Sequence, residues 1–125
     1  MDNRLQDKIF TSTFKVSEEK IKIDPLDNFN FIDKNHGVIL LKIDVQGAEE
    51  LVLKGAKKSL EKIKFILVEL SFIELYKNQP LFLDICYLLN DYNFKLSELS
   101  DLTYVKSKLI QGDFLFVNKN MVNNK

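Results

Sequence analysis

Two stretches of this chain are apolar at nearly every position: Val-Ile-Leu-Leu-Lys-Ile over residues 38–43 and Phe-Ile-Leu-Val-Glu-Leu over residues 65–70. Both are short and rich in β-branched residues. Runs of this kind predict strands of a parallel sheet covered on both faces. Between them, Ala48, Leu51, Val52, Leu53, Ala56 and Leu60 recur at helical spacing. Glu49 and Glu50 fall in the first turn of that helix and Lys57, Lys58 and Lys62 late in it, as the helix dipole favours. Gly55 interrupts it and predicts a bend or close packing against the sheet. Residues 38–70 thus read as a right-handed strand–helix–strand unit.

Downstream, Ser71 to Gln79 reads as a loop. Pro80 suits the first turn of a helix. Leu81, Phe82, Ile85, Leu88, Leu89 and Tyr92 continue it, and Asn93 ends it. Residues 94–99 form a weaker strand pattern. Gln111-Gly112 reads as a turn before a strongly apolar strand, residues 113–118. About a dozen residues without helical spacing join these last strands, so they are expected to pair antiparallel. Upstream, Ile21-Lys22-Ile23 alternates like a short strand, Asp24-Pro25 breaks it, and Asn35-His36-Gly37 marks a turn. The expected organisation is a poorly defined segment over 1–20, one α/β unit over 21–118 and a polar tail over 119–125.

The chain has 125 residues, 46% hydrophobic and 29% charged, enough for a buried core. Its 18 basic residues balance its 18 acidic ones. No basic stripe points to nucleic acid. The single cysteine, Cys86, excludes an intrachain disulfide. One cysteine with one histidine does not build a typical zinc site, so no metal is expected. Cys86 reads as a small hydrophobe of a helix, and His36 as a loop residue. The polar start lacks a signal-peptide pattern, and no apolar run approaches the ~20 residues of a membrane helix. A cytoplasmic protein is the default expectation.

In an open parallel sheet, ligands bind beyond the carboxyl ends of the strands. Asp44 and Glu69 stand at two such ends. Either acid is placed to contact a substrate hydroxyl, a metal or a cofactor. Otherwise Asp44 is placed to cap a helix, and Glu69 to be a solvated or salt-bridged strand end. Gly47 allows backbone to approach a ligand. Asp113 is read as a turn residue, Asn78 and Gln79 as turn or cap residues, and Tyr76 and Tyr104 as loop tyrosines. The four scattered glycines form no phosphate loop, and one loop histidine supports no Ser/His/Asp set.

Residues 43–56 read Ile-Asp-Val-Gln-Gly-x-Glu-x-x-Val-Leu-x-Gly-Ala. This stretch resembles the strand-turn-helix motif of the FkbM methyltransferase family. Ile66-Leu67-Val68-Glu69-Leu70 resembles the family's next strand, and residues 111–117 its closing strand. Residues 21–29 resemble its short strand followed by Thr-Leu-Asp-Asp, with Pro25 in place of the threonine and Asn28 in place of the second aspartate.

The resemblance implies the later strands of a Rossmann-like, three-layer α/β/α methyltransferase sheet. It implies transfer of a methyl group from S-adenosylmethionine to a hydroxyl, on a sugar or other small-molecule or glycan acceptor. By it, Asp44 is catalytic, Asp44, Gln46 and Gly47 contact the cofactor, and Glu49 and Glu69 contact the substrate. The family's Asp-x-Gly-Ala-Asn-x-Gly cofactor turn does not occur in this sequence. The expectation is therefore a carboxyl-terminal half of the domain, inactive alone, with an open edge at residues 38–43 for self-association or a partner chain. The alternative is a non-catalytic truncated remnant, or a half-domain that pairs with another chain.

Overall fold

A computed structural model describes residues 17–34 and 36–122. Four strands form one sheet: β1 (Leu40–Ile43), β2 (Phe65–Ser71), β3 (Phe94–Val105) and β4 (Lys108–Asn118), in the order β1-β2-β4-β3. β1 and β2 are parallel, as their apolar runs predict. β4 inserts antiparallel between β2 and β3, so the last two strands pair as expected.

The helix predicted after β1 is divided. α1 (Glu49–Lys54) ends at Gly55, and a 3-10 turn, Ser59–Lys62, follows. The cause is an upstream segment. Pro25 lies so close to Gly55 that a Cβ there would come within 3.0 Å of the proline Cβ. Asp27 N–H donates to Gly55 O (3.0 Å). The Asp27 carboxylate accepts from Lys58 N (2.9 Å), Ser59 N (2.8 Å) and Ser59 Oγ (2.7 Å). It thereby satisfies donors at the start of the 3-10 turn, as a capping residue does. Gly55 thus packs against the Pro25–Asp27 segment rather than the sheet.

α2 (Phe82–Asp91) lies where the periodicity places it. Leu81 N–H donates to Asp84 Oδ2 (2.8 Å) at its start. Asn93, in the left-handed region at φ 66°, ends it.

One buried cluster joins Ile43 of β1, Leu53 of α1, Ile85 and Leu89 of α2, Ile66, Val68 and Leu70 of β2, and Phe114 and Phe116 of β4. In the register Val68 pairs with Phe114 and Ile66 with Phe116, so these residues share one face. Both helices therefore cover the same face of the sheet. On the other face, Leu40 is 51% exposed, and Phe65, Leu67 and Leu115 are half-buried. The described residues thus make two layers. The reason is that no described helix lies on the second face. The short strand expected at Ile21–Ile23 is irregular, with both isoleucines more than 70% exposed and no strand partner among the described residues.

The carboxyl-terminal hairpin is longer than its pattern predicts. β3 runs to Val105, and Lys106 and Ser107, at φ 50° and 64°, make a two-residue turn. Positive φ at both central positions matches the strand twist, but Lys-Ser is not the residue pair that signals such a turn. Gly112 and Asp113 therefore lie within β4, opposite Leu70 and Glu69, and not in a turn. Gly112 makes room for β3, because a Cβ there would meet Leu102 Cδ2 at 2.5 Å and Ser100 O at 3.3 Å. The register shifts between Ser100 and Thr103.

The expected tail opens with a 3-10 turn, Lys119–Met121. Buried Asn118 holds it: Nδ2 donates to Ile63 O (3.0 Å) and Leu60 O (3.3 Å), and Oδ1 accepts from Asn120 N (3.0 Å). Residues 1–16 of the N-terminal segment, Asn35 of the predicted turn and residues 123–125 lie outside the described residues. No described helix is long and apolar enough to cross a membrane.

Candidate functional site

The site is built where the parallel strands end. Ile43 pairs with Val68, and Val68 with Phe114. One residue further along β1 and β2, and one back along β4, come Asp44, Glu69 and Asp113. Glu69 and Asp113 therefore pair across β2 and β4, and Asp44 follows the last residue of β1 beside them. Glu69 and Asp113 lie on the uncovered face, level with Ser100 of β3. Beside them is a shallow hollow of ≈ 220 Å³ lined by Leu67, Glu98, Leu99, Ser100, Asp113 and Leu115.

After Asp44 the chain turns sharply. Gln46 and Gly47 take φ 48° and 106°. The turn directs the backbone from strand to helix and brings Glu49 beneath itself. Glu49 Oε1 accepts from Gly47 N (2.9 Å). Glu49 is 3% exposed, and its Oε2 has no hydrogen-bond partner among the described residues. A buried acceptor left unmade is expensive, so this atom is conspicuous.

Tyr76 closes the other side. Its ring lies against Gly47, where an added Cβ would come within 3.2 Å of the tyrosine Cβ. Its hydroxyl donates to Gln46 Oε1 (3.2 Å). Gln79 braces the loop that carries it: Oε1 accepts from Leu75 N (2.9 Å) and Tyr76 N (3.3 Å), and Nε2 donates to Ser71 Oγ (3.1 Å). Asn78 sits at φ 59° in the same turn.

Acidic groups dominate the electrostatics. Partial burial pushes the Glu69 carboxyl above its usual range, and the charges of Asp113, Asp44 and Glu49 push it further. Burial raises the Tyr76 hydroxyl too, followed by Glu69, Glu49 and Asp44. Asp113 is raised by burial, then by the charge of Asp101 and a hydrogen bond with it; Lys42 opposes and Asp44 adds. The arrangement suits proton transfer at a hydroxyl or the holding of a donor-rich or cationic group. Among the described residues, no group of three or more His, Cys, Asp or Glu side chains is disposed to hold a metal ion.

Asp44, Gln46, Gly47, Glu49 and Glu69 thus come together. Tyr76, ranked with the ordinary loop tyrosines, joins them; its only advance signal was its place in the loop after β2. Asp113 joins them because β4 runs beside β2, which its local pattern does not reveal. Tyr104 is exposed near the hairpin turn, and His36 is exposed in its loop. Cys86 is half-buried against the core, and burial raises its thiol.

A family model described as the methyltransferase FkbM domain matches residues 4–96. The match begins before the stretch that carries the motif resemblance and ends before the closing strand. No curated protein and no solved structure matches the chain. The family match spans most of the 125 residues, including both parallel strands and the turn between Asp44 and Glu49, and the chain belongs to the FkbM methyltransferase family.

Proposed function

We propose that this chain forms the acceptor-side part of a Rossmann-like, S-adenosylmethionine-dependent O-methyltransferase. The carrying observation is that Asp44 directly follows the last residue of β1, whose partner on the parallel strand β2 is Val68, the residue before Glu69, toward the strand ends where ligands of open α/β sheets bind; Glu69 itself lies within β2, two residues before its end. The strand order β1-β2-β4-β3, with one antiparallel insertion, is consistent with the later strands of a larger sheet.

Only one end of the cofactor finds a fit. Asp44, Gln46 and Gly47 suit its sulfonium-bearing end. No glycine-rich turn among the described residues is available for its nucleoside portion. When bound, S-adenosylmethionine supplies an electrophilic methyl group. Asp44 orients the acceptor hydroxyl and takes its proton. Glu69, with its heightened proton affinity, contacts the acceptor at the rim. Glu49 contacts the substrate from beneath the turn. The acceptor is a small molecule or glycan with a free hydroxyl.

A donor-dependent methylation assay tests the reading, with the chain supplemented by a polypeptide that carries the glycine-rich half of a related domain. Transfer is expected only with both parts. Asp44→Asn should lower the rate by about 100-fold or more, the scale of a lost general base. An unchanged rate in Asp44→Asn removes that role. Calorimetry of the 125-residue chain alone with S-adenosylmethionine should show no binding; micromolar binding contradicts the division of the site.

The second reading is a non-catalytic half-domain that pairs with another chain. It is favoured by β1, which has no strand partner on its outer edge among the described residues, and by the exposed Leu40 upon it.

A further inference from the structure

Beyond Glu69, β2 continues through Leu70 to Ser71, and the chain leaves the sheet at Phe72. The Phe72 ring stacks on that of Phe82, the first residue of α2, with centroids 4.9 Å apart and an interplanar angle of 30°. Buried Phe114 of β4 packs against both, 5.9 Å from Phe72 and 4.7 Å from Phe82. Phe72 and Phe82, with Leu81, Leu83 and Asp84, line a hollow of ≈ 290 Å³. Its walls are fixed by the fold: Phe72 N–H donates to Ile110 O (2.8 Å), and Leu81 N–H donates to Asp84 Oδ2 (2.8 Å). Yet Phe72 and Phe82 are only half-buried, and Leu83 is 61% exposed. Packed interiors leave few such voids. An aromatic stack with an open side keeps a favourable contact for one more ring.

We propose that this hollow is a subsite for a neutral aromatic ring carried by the acceptor, so that the acceptor is an aryl glycoside or a related alcohol with an aromatic substituent. Size and charge narrow the occupant. A cavity of about 150 Å³ holds benzene, and sites that enclose a whole ligand run to about 300–1,000 Å³. The hollow therefore takes one substituted ring and leaves the rest of the ligand outside. Among the described residues its lining carries one carboxylate, Asp84, and no cation, so an anionic ring is disfavoured. Position links it to the strand ends. Phe72 lies three residues beyond Glu69, roughly 10 Å at about 3.3 Å per residue, a span that a sugar with an aromatic substituent bridges. This inference rests on the proposed function for the identity of the acceptor, but the ring preference is measurable without methyl transfer.

The test is amide-shift titration of the full, isotope-labelled chain at neutral pH with three probes. Phenyl β-glucoside carries the ring, methyl β-glucoside is the same sugar without it, and benzoate is an anionic ring. Saturable shifts at Phe72, Leu83 and Asp84 are expected with phenyl β-glucoside, at least about tenfold tighter than with the other two. Phe82→Leu keeps an apolar side chain against Phe114 but removes the stack, and should weaken phenyl glucoside binding about tenfold. Leu83→Ala, on the exposed wall, should weaken it with the thermal midpoint unchanged. Equal affinity for methyl glucoside or benzoate, no saturable shift at these amides, or unaltered affinity in both variants overturns the proposal. Shifts at the same amides that follow protein concentration, and that the probe does not displace, assign the hollow to a side chain of a second copy and overturn it too. In the two-part methylation assay, transfer without any preference for the aryl acceptor would remove this subsite and leave the proposed function standing; ring binding without transfer would do the reverse.

Discussion

Glu69 and Asp113 stand directly opposite one another in the antiparallel β2–β4 pair, two like charges on the uncovered face of the sheet. Such cross-strand pairs destabilise. Burial first and neighbouring acids second raise both groups above their ordinary values of 4.5 and 3.8. The folded protein therefore binds these protons more tightly than the unfolded chain does. The destabilisation is fully present above the raised folded values and is relieved as pH falls toward the ordinary ones. Asp113→Asn should raise stability at pH 7 by about 0.5 kcal/mol, with the gain shrinking toward pH 4 and in high salt. Urea denaturation at both pH values checks this; a gain that grows on acidification contradicts it.

Asp27 has the opposite sign. Burial pushes its carboxyl up, but hydrogen bonds from Lys58 N, Ser59 Oγ and Ser59 N outweigh burial and hold it below the ordinary 3.8. Its contribution is present above that value and lost as pH falls through the lowered folded value. Asp27→Ala should cost about 1–2 kcal/mol at neutral pH, the range for a lost cap. Thermal denaturation measures it, and an unchanged midpoint would show that the turn at residues 59–62 holds without its cap.

Gly47→Ala meets two obstacles: φ of 106° and the Tyr76 Cβ 3.2 Å from the new methyl. A loss of about 1–3 kcal/mol is expected from the backbone alone. The Tyr76–Gln46 hydrogen bond should open with it, visible as greater tyrosine accessibility to chemical modification. Wild-type stability in this variant would mean the turn relaxes at no cost.

Among the described residues the outer edge of β1 has no strand partner, and Leu40 upon it is 51% exposed, features that favour pairing with another chain. Concentration-dependent self-association is expected in sedimentation experiments. Leu40→Lys should reduce it, as a charge on an edge strand discourages pairing. A monomer at high concentration in the wild type contradicts this.

Local patterns were enough for β1, β2 and α2. An uninterrupted apolar run, or apolar positions at helical spacing, is a property of neighbours in the chain, and Asn93 ended α2 for a reason written in its own backbone preference. The turn from Asp44 to Gly47 was legible for the same cause: glycine next to a strand end is a local signal. The layer count, the long β3–β4 hairpin and the company kept by Asp113 were not legible. Each depends on which distant segment lies alongside. Pro25 and Asp27 divided the helix at Gly55 from some 30 residues away, and β4, by running beside β2, moved Asp113 from a supposed turn to a position facing Glu69. Likewise, that Glu49 would be buried with a bare oxygen could not be read from a glutamate in a helix's first turn, where solvent is the ordinary partner. Burial is set by what packs over a side chain, and that is a property of the folded assembly of elements, not of any one of them.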